Sequence, residues 1–376
     1  MKKNTATLTP ANRFCDEKGR LYYFDNAKFL LIVLVVIAHA LSPLKTDNGA
    51  VHVIWKLINC MHMPTFIFIS GFFAKGYLQK SGRLKAQRTF TYISLFLFSQ
   101  LFVSLFEYFV LDHKVGFSLL SARSSLWFLQ CLLVWYLVLP FFAQFKGPVV
   151  LVAAVITGLV IGYDPSALNV LAISRVIVHF PFFMAGYFCT PEIFNKLRTL
   201  PFRIIGLVFL GLSIFLFAYF GEYIGDGLFT CNVPYASLVW AKDLPLLLRW
   251  LPRFLFYVFA LGLGAGFLAW VPRAKTFFTR FGPRTLQVYI LHRFLYLAWL
   301  DYEWWTLDWL KNLLLDLFAD KTVPAWITAD WLTNGTAPWL VAVLALILTF
   351  VLSLRVFQYP FDLIQKINIT KALKKK

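Results

Sequence analysis

Apolar runs of membrane length follow one another along almost the whole chain. They fall at roughly 28–45, 52–76, 89–110, 124–145, 148–163, 170–189, 203–221, 248–270, 284–300 and 337–358. A helix needs about 20 apolar residues to cross the hydrocarbon of a bilayer, and a helix keeps its own backbone polar groups satisfied there. The predicted fold is therefore all-α, a polytopic membrane protein of about ten transmembrane helices. Composition agrees: 60% of the 376 residues are hydrophobic and 14% are charged, whereas soluble domains carry about a quarter charged residues. One domain is expected over 1–376, with 1–27 as a polar N-terminal segment and 359–376 as a basic tail. The N-terminal segment has no cleavable signal pattern. No stretch reads as a linker, and no internal repeat is visible, which counts against an inverted-repeat transporter.

A net charge of +18 invites a nucleic-acid reading, but the charges follow topology instead. With the N-terminus inside, the inner segments hold Lys75, Lys80, Arg83, Lys85 and Arg88, then Arg273, Lys275, Arg280 and Arg284, and finally Lys374, Lys375 and Lys376. The outer segments collect Glu222, Asp226, Asp243, Asp301, Glu303, Asp308, Asp316, Asp320 and Asp330. Lys and Arg favour the cytoplasmic loops of membrane proteins, so both termini are expected in the cytoplasm. The basic surface then meets membrane lipid, not nucleic acid. Cys15, Cys60, Cys131, Cys189 and Cys231 are scattered without ligand spacing, so neither a disulfide framework nor a metal site is expected. The outer stretch "DYEWWTLDWLKNLLLDLF" has Trp and Leu at helical spacing with acids between. It reads as an interfacial amphipathic helix, either a brace or a lid.

Ionisable residues at membrane depth are expensive and therefore mark candidate sites. Here they are Lys28, His39, Lys56, His62, Arg175, His179 and His292, with Arg253 and Arg293 nearer the ends of their runs. Lys28 and His39 lie eleven positions apart, which is three helical turns plus about 20°. They share a face, with His39 about 16 Å further along the axis. Asp25 can pair with Lys28 at i,i+3. The spacing suits a ligand lying along the helix with its anionic end at the lysine. It equally suits a snorkelling lysine and a hydrogen-bonded core histidine. In "NCMHMPTFIFISGFFAKGY", Pro64 predicts a break in the helix, with a kinked backbone near mid-membrane beside His62. Arg175 needs an anionic or carbonyl partner, or serves as a clamp on substrate charge. Tyr289 and His292 are i,i+3 neighbours, in a structural or a catalytic role.

Several motifs, taken in order, resemble the integral-membrane acyltransferase family 3, the O-acetyltransferases of bacterial surface and exported glycans. They are Lys28 with His39, "MPTFIFISGFF" at Met63–Phe73, "LWFL" at Leu126–Leu129, and Gly282 to His292. "SRVIVHFPFFMAGYF" is similar to a segment of the fucose 4-O-acetylase-like branch. The family's Arg-x-x-Arg element aligns with Lys85-Ala86-Gln87-Arg88, where lysine takes the first position and Arg83 stands nearby. The resemblance implies a multi-pass protein of the bacterial inner membrane that moves acetyl from cytoplasmic acetyl-CoA to a glycan or a lipid-linked sugar. Its catalytic residues would be His39 as general base, Arg175 and His292. Lys28, Arg83, Lys85 and Arg88 would hold the donor, and His62, Trp127 and Tyr289 the acceptor. An acetyl-histidine intermediate, a succinyl or other acyl donor, and a transporter or flippase lined by the same residues remain the alternatives.

Overall fold

The computed structural model describes residues 21–79, 81–82, 84–113, 120–166, 170–303 and 337–366. The helices are α1 (Tyr22–Leu41), α2 (Gly49–Ala74), α3 (Ala86–Phe109), α4 (Trp127–Phe142), α5 (Gly147–Val160) and α6 (Ile173–Phe188). They continue as α7 (Pro191–Lys196), α8 (Leu200–Tyr219), α9 (Gly227–Thr230), α10 (Val239–Lys242), α11 (Leu251–Trp270) and α12 (Thr285–Asp301). The chain closes with α13 (Ala337–Leu352) and α14 (Tyr359–Lys366). No strand occurs among the described residues, and one isolated bridge joins Leu78 and Leu84. Five helices, α1, α2, α3, α8 and α11, are long and apolar enough to cross a membrane. Three more, α4, α5 and α6, are apolar but shorter. The chain is a multi-pass membrane protein of helices. The amphipathic stretch expected within 301–338 lies almost wholly outside the described residues.

Two expectations change. Pro64 does not break α2, which runs from Gly49 through the proline to Ala74. Close packing against α6 supports the helix beyond the proline, as neighbouring helices do for prolines in membranes. The last apolar run, expected at 337–358, is interrupted: Pro338–Leu352 and Arg355–Ile364 meet at 64°. The reason is a tertiary cap. Arg284 donates from Nη1 to the Ser353 carbonyl (2.9 Å). Gln287 donates from Nε2 to the carbonyls of Leu352 (2.7 Å) and Leu354 (2.9 Å). These side chains satisfy carbonyls that the end of α13 leaves open.

Small residues let the central helices meet backbone to backbone. A Cβ on Gly71 would strike the Phe183 carbonyl, and one on Gly186 the Phe68 carbonyl, so α2 and α6 touch at two points. Gly206 of α8 and Gly266 of α11 oppose each other in the same way. The start of α1 is fixed by Asn26, which is fully buried. Its Nδ2 donates to the carbonyls of Pro272 (2.9 Å) and Ala274 (3.0 Å). Its Oδ1 accepts from the hydroxyls of Thr276 (3.2 Å) and Thr279 (2.6 Å). The Tyr23 hydroxyl adds a bond to the Leu268 carbonyl (2.7 Å). These contacts set which face of α1 looks inward.

Gly71→Val should be strongly destabilising, because the obstacle is backbone and cannot rotate away. The expected loss is at the upper end of, or beyond, the about 1–3 kcal/mol of an overpacked core. Gly211→Ala, at a site open on all sides, should be neutral. Thermal unfolding followed by size-exclusion chromatography in detergent distinguishes the two.

Candidate active site: two cavities along one helix face

Two cavities share a single wall of α1. The first, of about 690 Å³, is lined by Lys28, Ile32 and Val35 of α1, by Met63 and Lys75, by Arg88 and Tyr92 of α3, and by Tyr289. The second, of about 490 Å³, is lined by Val35, His39 and Ser42, and also by His62, Trp127, Arg175, His179, Asp226 and Tyr289. Val35, Met63 and Tyr289 belong to both. The stripe Lys28, Ile32, Val35, His39 and Ser42 repeats every three or four residues, so one helix face threads both cavities.

The first cavity is basic and aromatic. Lys28 pairs with Asp25 at 3.1 Å, the i,i+3 contact expected from sequence. Arg88 donates from Nη1 to the Gly76 carbonyl (2.8 Å), and its guanidinium lies 5.3 Å from the centre of the Tyr77 ring. Lys85 directs its ammonium to that same carbonyl (2.9 Å), which folds the connection between α2 and α3 into a tight loop. Arg83 lies outside the described residues. Two features escaped sequence reading. Lys75 donates to the Cys189 carbonyl (3.2 Å) while lining the cavity. Tyr77, Tyr92 and Tyr136 form a cluster in its wall, with Tyr77 stacked on Tyr136 at 3.8 Å. The only prior signal for Lys75 was its place among the loop cations.

The second cavity is a polar chamber. His39 is half-buried on its wall, with its ring centre 5.3 Å from His292 and 4.8 Å from Tyr296. The buried His292 donates from Nδ1 to the Val288 carbonyl (2.9 Å), and in the neutral ring this leaves Nε2 as an acceptor. His62 makes the same kind of bond to the Ile58 carbonyl (2.6 Å). Trp127 meets two partners from α6, the Arg175 guanidinium at 4.9 Å and the His179 ring stacked at 5.5 Å. Arg175 donates from Nε to the Thr230 carbonyl (2.9 Å), so its half-buried charge is met by a carbonyl and an aromatic face. The Tyr289 hydroxyl donates to the Ser125 carbonyl, which fixes the ring where the cavities meet. Arg253 and Arg293 do not line either cavity. Arg253 instead reaches the carbonyls of Gly158 and Val233, both at 3.4 Å.

An ionic cluster at the edge of the chamber was not legible in sequence. Asp226 meets Lys45 at 2.6 Å, His52 at 2.9 Å and Lys56 at 3.9 Å. Lys56 also donates to the Gly221 carbonyl, and Lys45 lies 3.9 Å from the centre of the Trp55 ring. The loop after α8 is thereby clamped to the connection between α1 and α2. Trp55, Asn59 and Asn232 complete a lining of flat rings and amides. No group of three or more metal-ligating side chains occurs among the described residues.

Residues 21–357 match the family of the acyltransferase domain (Acyl_transf_3). A curated relative, Nodulation protein NolL of Sinorhizobium fredii, is 29% identical over 190 residues, or 47% of this chain and 50% of that protein. The match thus spans half the length of the relative. No solved structure matches the chain.

The clamp carries a pH prediction. Burial would raise the Asp226 carboxyl, but the hydrogen bonds and charges of Lys45 and His52 outweigh it and hold the group below its ordinary value. The folded value lies below the unfolded one, so the stabilisation is complete above about pH 4. It is lost as pH falls through the folded value. Asp226→Asn should lower stability at pH 7 by about 1 kcal/mol, with the difference from wild type closing as pH falls through the folded value. Unfolding temperatures measured across pH in one detergent test this.

Proposed function

The chain belongs to the Acyl_transf_3 acyltransferase family, and from that premise we propose that it is an O-acetyltransferase of the bacterial inner membrane. It takes acetyl from cytoplasmic acetyl-CoA and passes it to a hydroxyl of an exported glycan or lipid-linked sugar. The observation that carries this reading is the junction of the two cavities at Val35, Met63 and Tyr289. A donor and an acceptor entering from opposite ends meet there, one helical turn from His39 on the α1 face.

Each half has residues suited to its task. Lys28, Lys75 and Arg88 border the first cavity and supply point charges and a guanidinium fork for nucleotide phosphates. The same end of the chain carries the loop cations, which assigns it to the cytoplasm by the positive-inside rule. The arm of the donor then runs along Ile32 and Val35 with its thioester at the junction. In the chamber, Trp55 and Trp127 offer aromatic faces, and Asn59 and Asn232 offer amides, a combination suited to a polyhydroxylated ring.

The reaction follows from these positions. His39 accepts the proton of the acceptor hydroxyl as the oxygen attacks the thioester carbonyl. Arg175 stabilises the negative charge that develops on the carbonyl oxygen. The C–S bond breaks, and the thiolate of CoA leaves and recovers the proton. His292, held by Val288 beside His39, orients the site.

His39→Ala should reduce transfer by about 10²–10⁴-fold while leaving acetyl-CoA binding intact. Arg88→Ala should raise KM for acetyl-CoA about tenfold with little change in kcat, as loss of a ground-state phosphate contact requires. Radiolabel transfer into isolated glycan, paired with acetyl-CoA-dependent thermal stabilisation, reads both. Undiminished transfer by His39→Ala removes the base assignment. Absence of stabilisation by acetyl-CoA in the wild type favours a transporter instead.

A further inference from the structure

α3 carries a polar stripe for which the reaction above has no use. Gln100, Ser104 and Glu107 follow at spacings of four and three and so share one helix face. All three are buried, whereas Leu97, Leu101, Phe102 and Leu105 are exposed. Glu107 is the costly member. It is 6% exposed in a helix long and apolar enough to cross a membrane. It also stands in the last turn of that helix, where the helix dipole opposes an acid. A carboxylate in such a place is retained only with a strong partner.

The partner lies in the segment that leads into α4. Glu107 Oε2 accepts from Arg123 Nη1. Gln100 holds the same segment twice. Its Nε2 donates to the Ser121 carbonyl (2.9 Å), and its Oε1 accepts from the Arg123 backbone N–H (3.1 Å). From α4, Gln130 donates to the Leu120 carbonyl (3.0 Å). Residues 120–126 thereby become a fixed wall, and Ala122 and Ser125 from it line the polar chamber. The Ser125 carbonyl is the acceptor for the Tyr289 hydroxyl. Glu107 also interacts electrostatically with Arg293, a buried guanidinium next to His292 in sequence.

We propose that Glu107 is a positioning residue for acyl transfer: through Arg123 it holds the 120–126 wall in place and so keeps Tyr289 at the junction of the two cavities. This rests on the acyl-transfer reading. Glu107 lines neither cavity, so it acts only through its partners. The two glutamines already tie the segment to α3 and α4 without a charge. What the ion pair adds is a tie at Arg123, two positions from the carbonyl that aims Tyr289. Small displacements of groups that border reacting atoms are expensive in rate.

The test uses the full chain in phosphatidylcholine nanodiscs, radiolabelled acetyl-CoA, and chemically deacetylated glycan from the envelope of the source cells. Glu107→Gln should lower kcat about tenfold and leave KM for acetyl-CoA within about twofold of wild type. Glu107→Asp, which keeps the charge, should recover most of the loss. In a Tyr289→Phe background, Glu107→Gln should cost less than about twofold, because both changes cut one chain of contacts. A fluorine resonance from 3-fluorotyrosine at position 289 should be single in the wild type and broadened or split by Glu107→Gln. Should that variant not fold, Arg123→Gln makes the same cut from the half-buried side. Unchanged kcat, losses that add fully to those of Tyr289→Phe, or an unmoved fluorine resonance overturns the proposal. A wild type that transfers no label counts against the acyl-transfer reading instead, and the fluorine resonance then decides the positioning by itself.

Discussion

Everything at the candidate site depends on the rotation of α1 about its axis, and a single buried amide sets that rotation. Asn26 uses both donors of its side chain and doubly engages its oxygen, against the segment that follows α11. An amide left unpaired at this depth would be costly, so alternative rotations of α1 are disfavoured. With Asn26 fixed, Lys28, Ile32, Val35 and His39 point inward by helical geometry alone. Turning the helix by half would put a lysine and an imidazole against lipid, which the membrane does not tolerate cheaply.

The division of labour between the cavities follows from the same constraint. In the proposed reaction, phosphate groups need cations near water, whereas the transfer itself gains from excluded water. A helix that begins at a basic surface and ends beside a polar chamber brings these two environments onto one stripe. Tyr289 and Met63 line both cavities. Arg175 beside Trp127 shows how the chamber holds a guanidinium without a carboxylate, by using a carbonyl and an aromatic face.

Much of this arrangement was legible in the sequence wherever a local period carried the information. The shared face of Lys28 and His39 and the pairing of Asp25 with Lys28 are consequences of 3.6 residues per turn. The pairing of Tyr289 with His292 has the same origin. What stayed hidden depends on segments distant in sequence. Nothing near Asp226 marks it as the partner of Lys45, His52 and Lys56, and the end of α13 is written partly in Arg284 and Gln287 at the start of α12. Pro64 shows the opposite failure: a true local signal for a break, overridden by packing against α6.

The anchor of α1 also dictates a sequence of events in time. Its partners lie 246 to 253 positions downstream, so α1 is synthesised long before the segment that fixes its orientation. Until the segment after α11 has been made, the bonds of Asn26 that orient Lys28 and His39 cannot form. A chain cut short before residue 272 would hold both residues and still lack the bonds that aim them. The face of α1 that lines both cavities is therefore fixed only once the segment after α11 has been made.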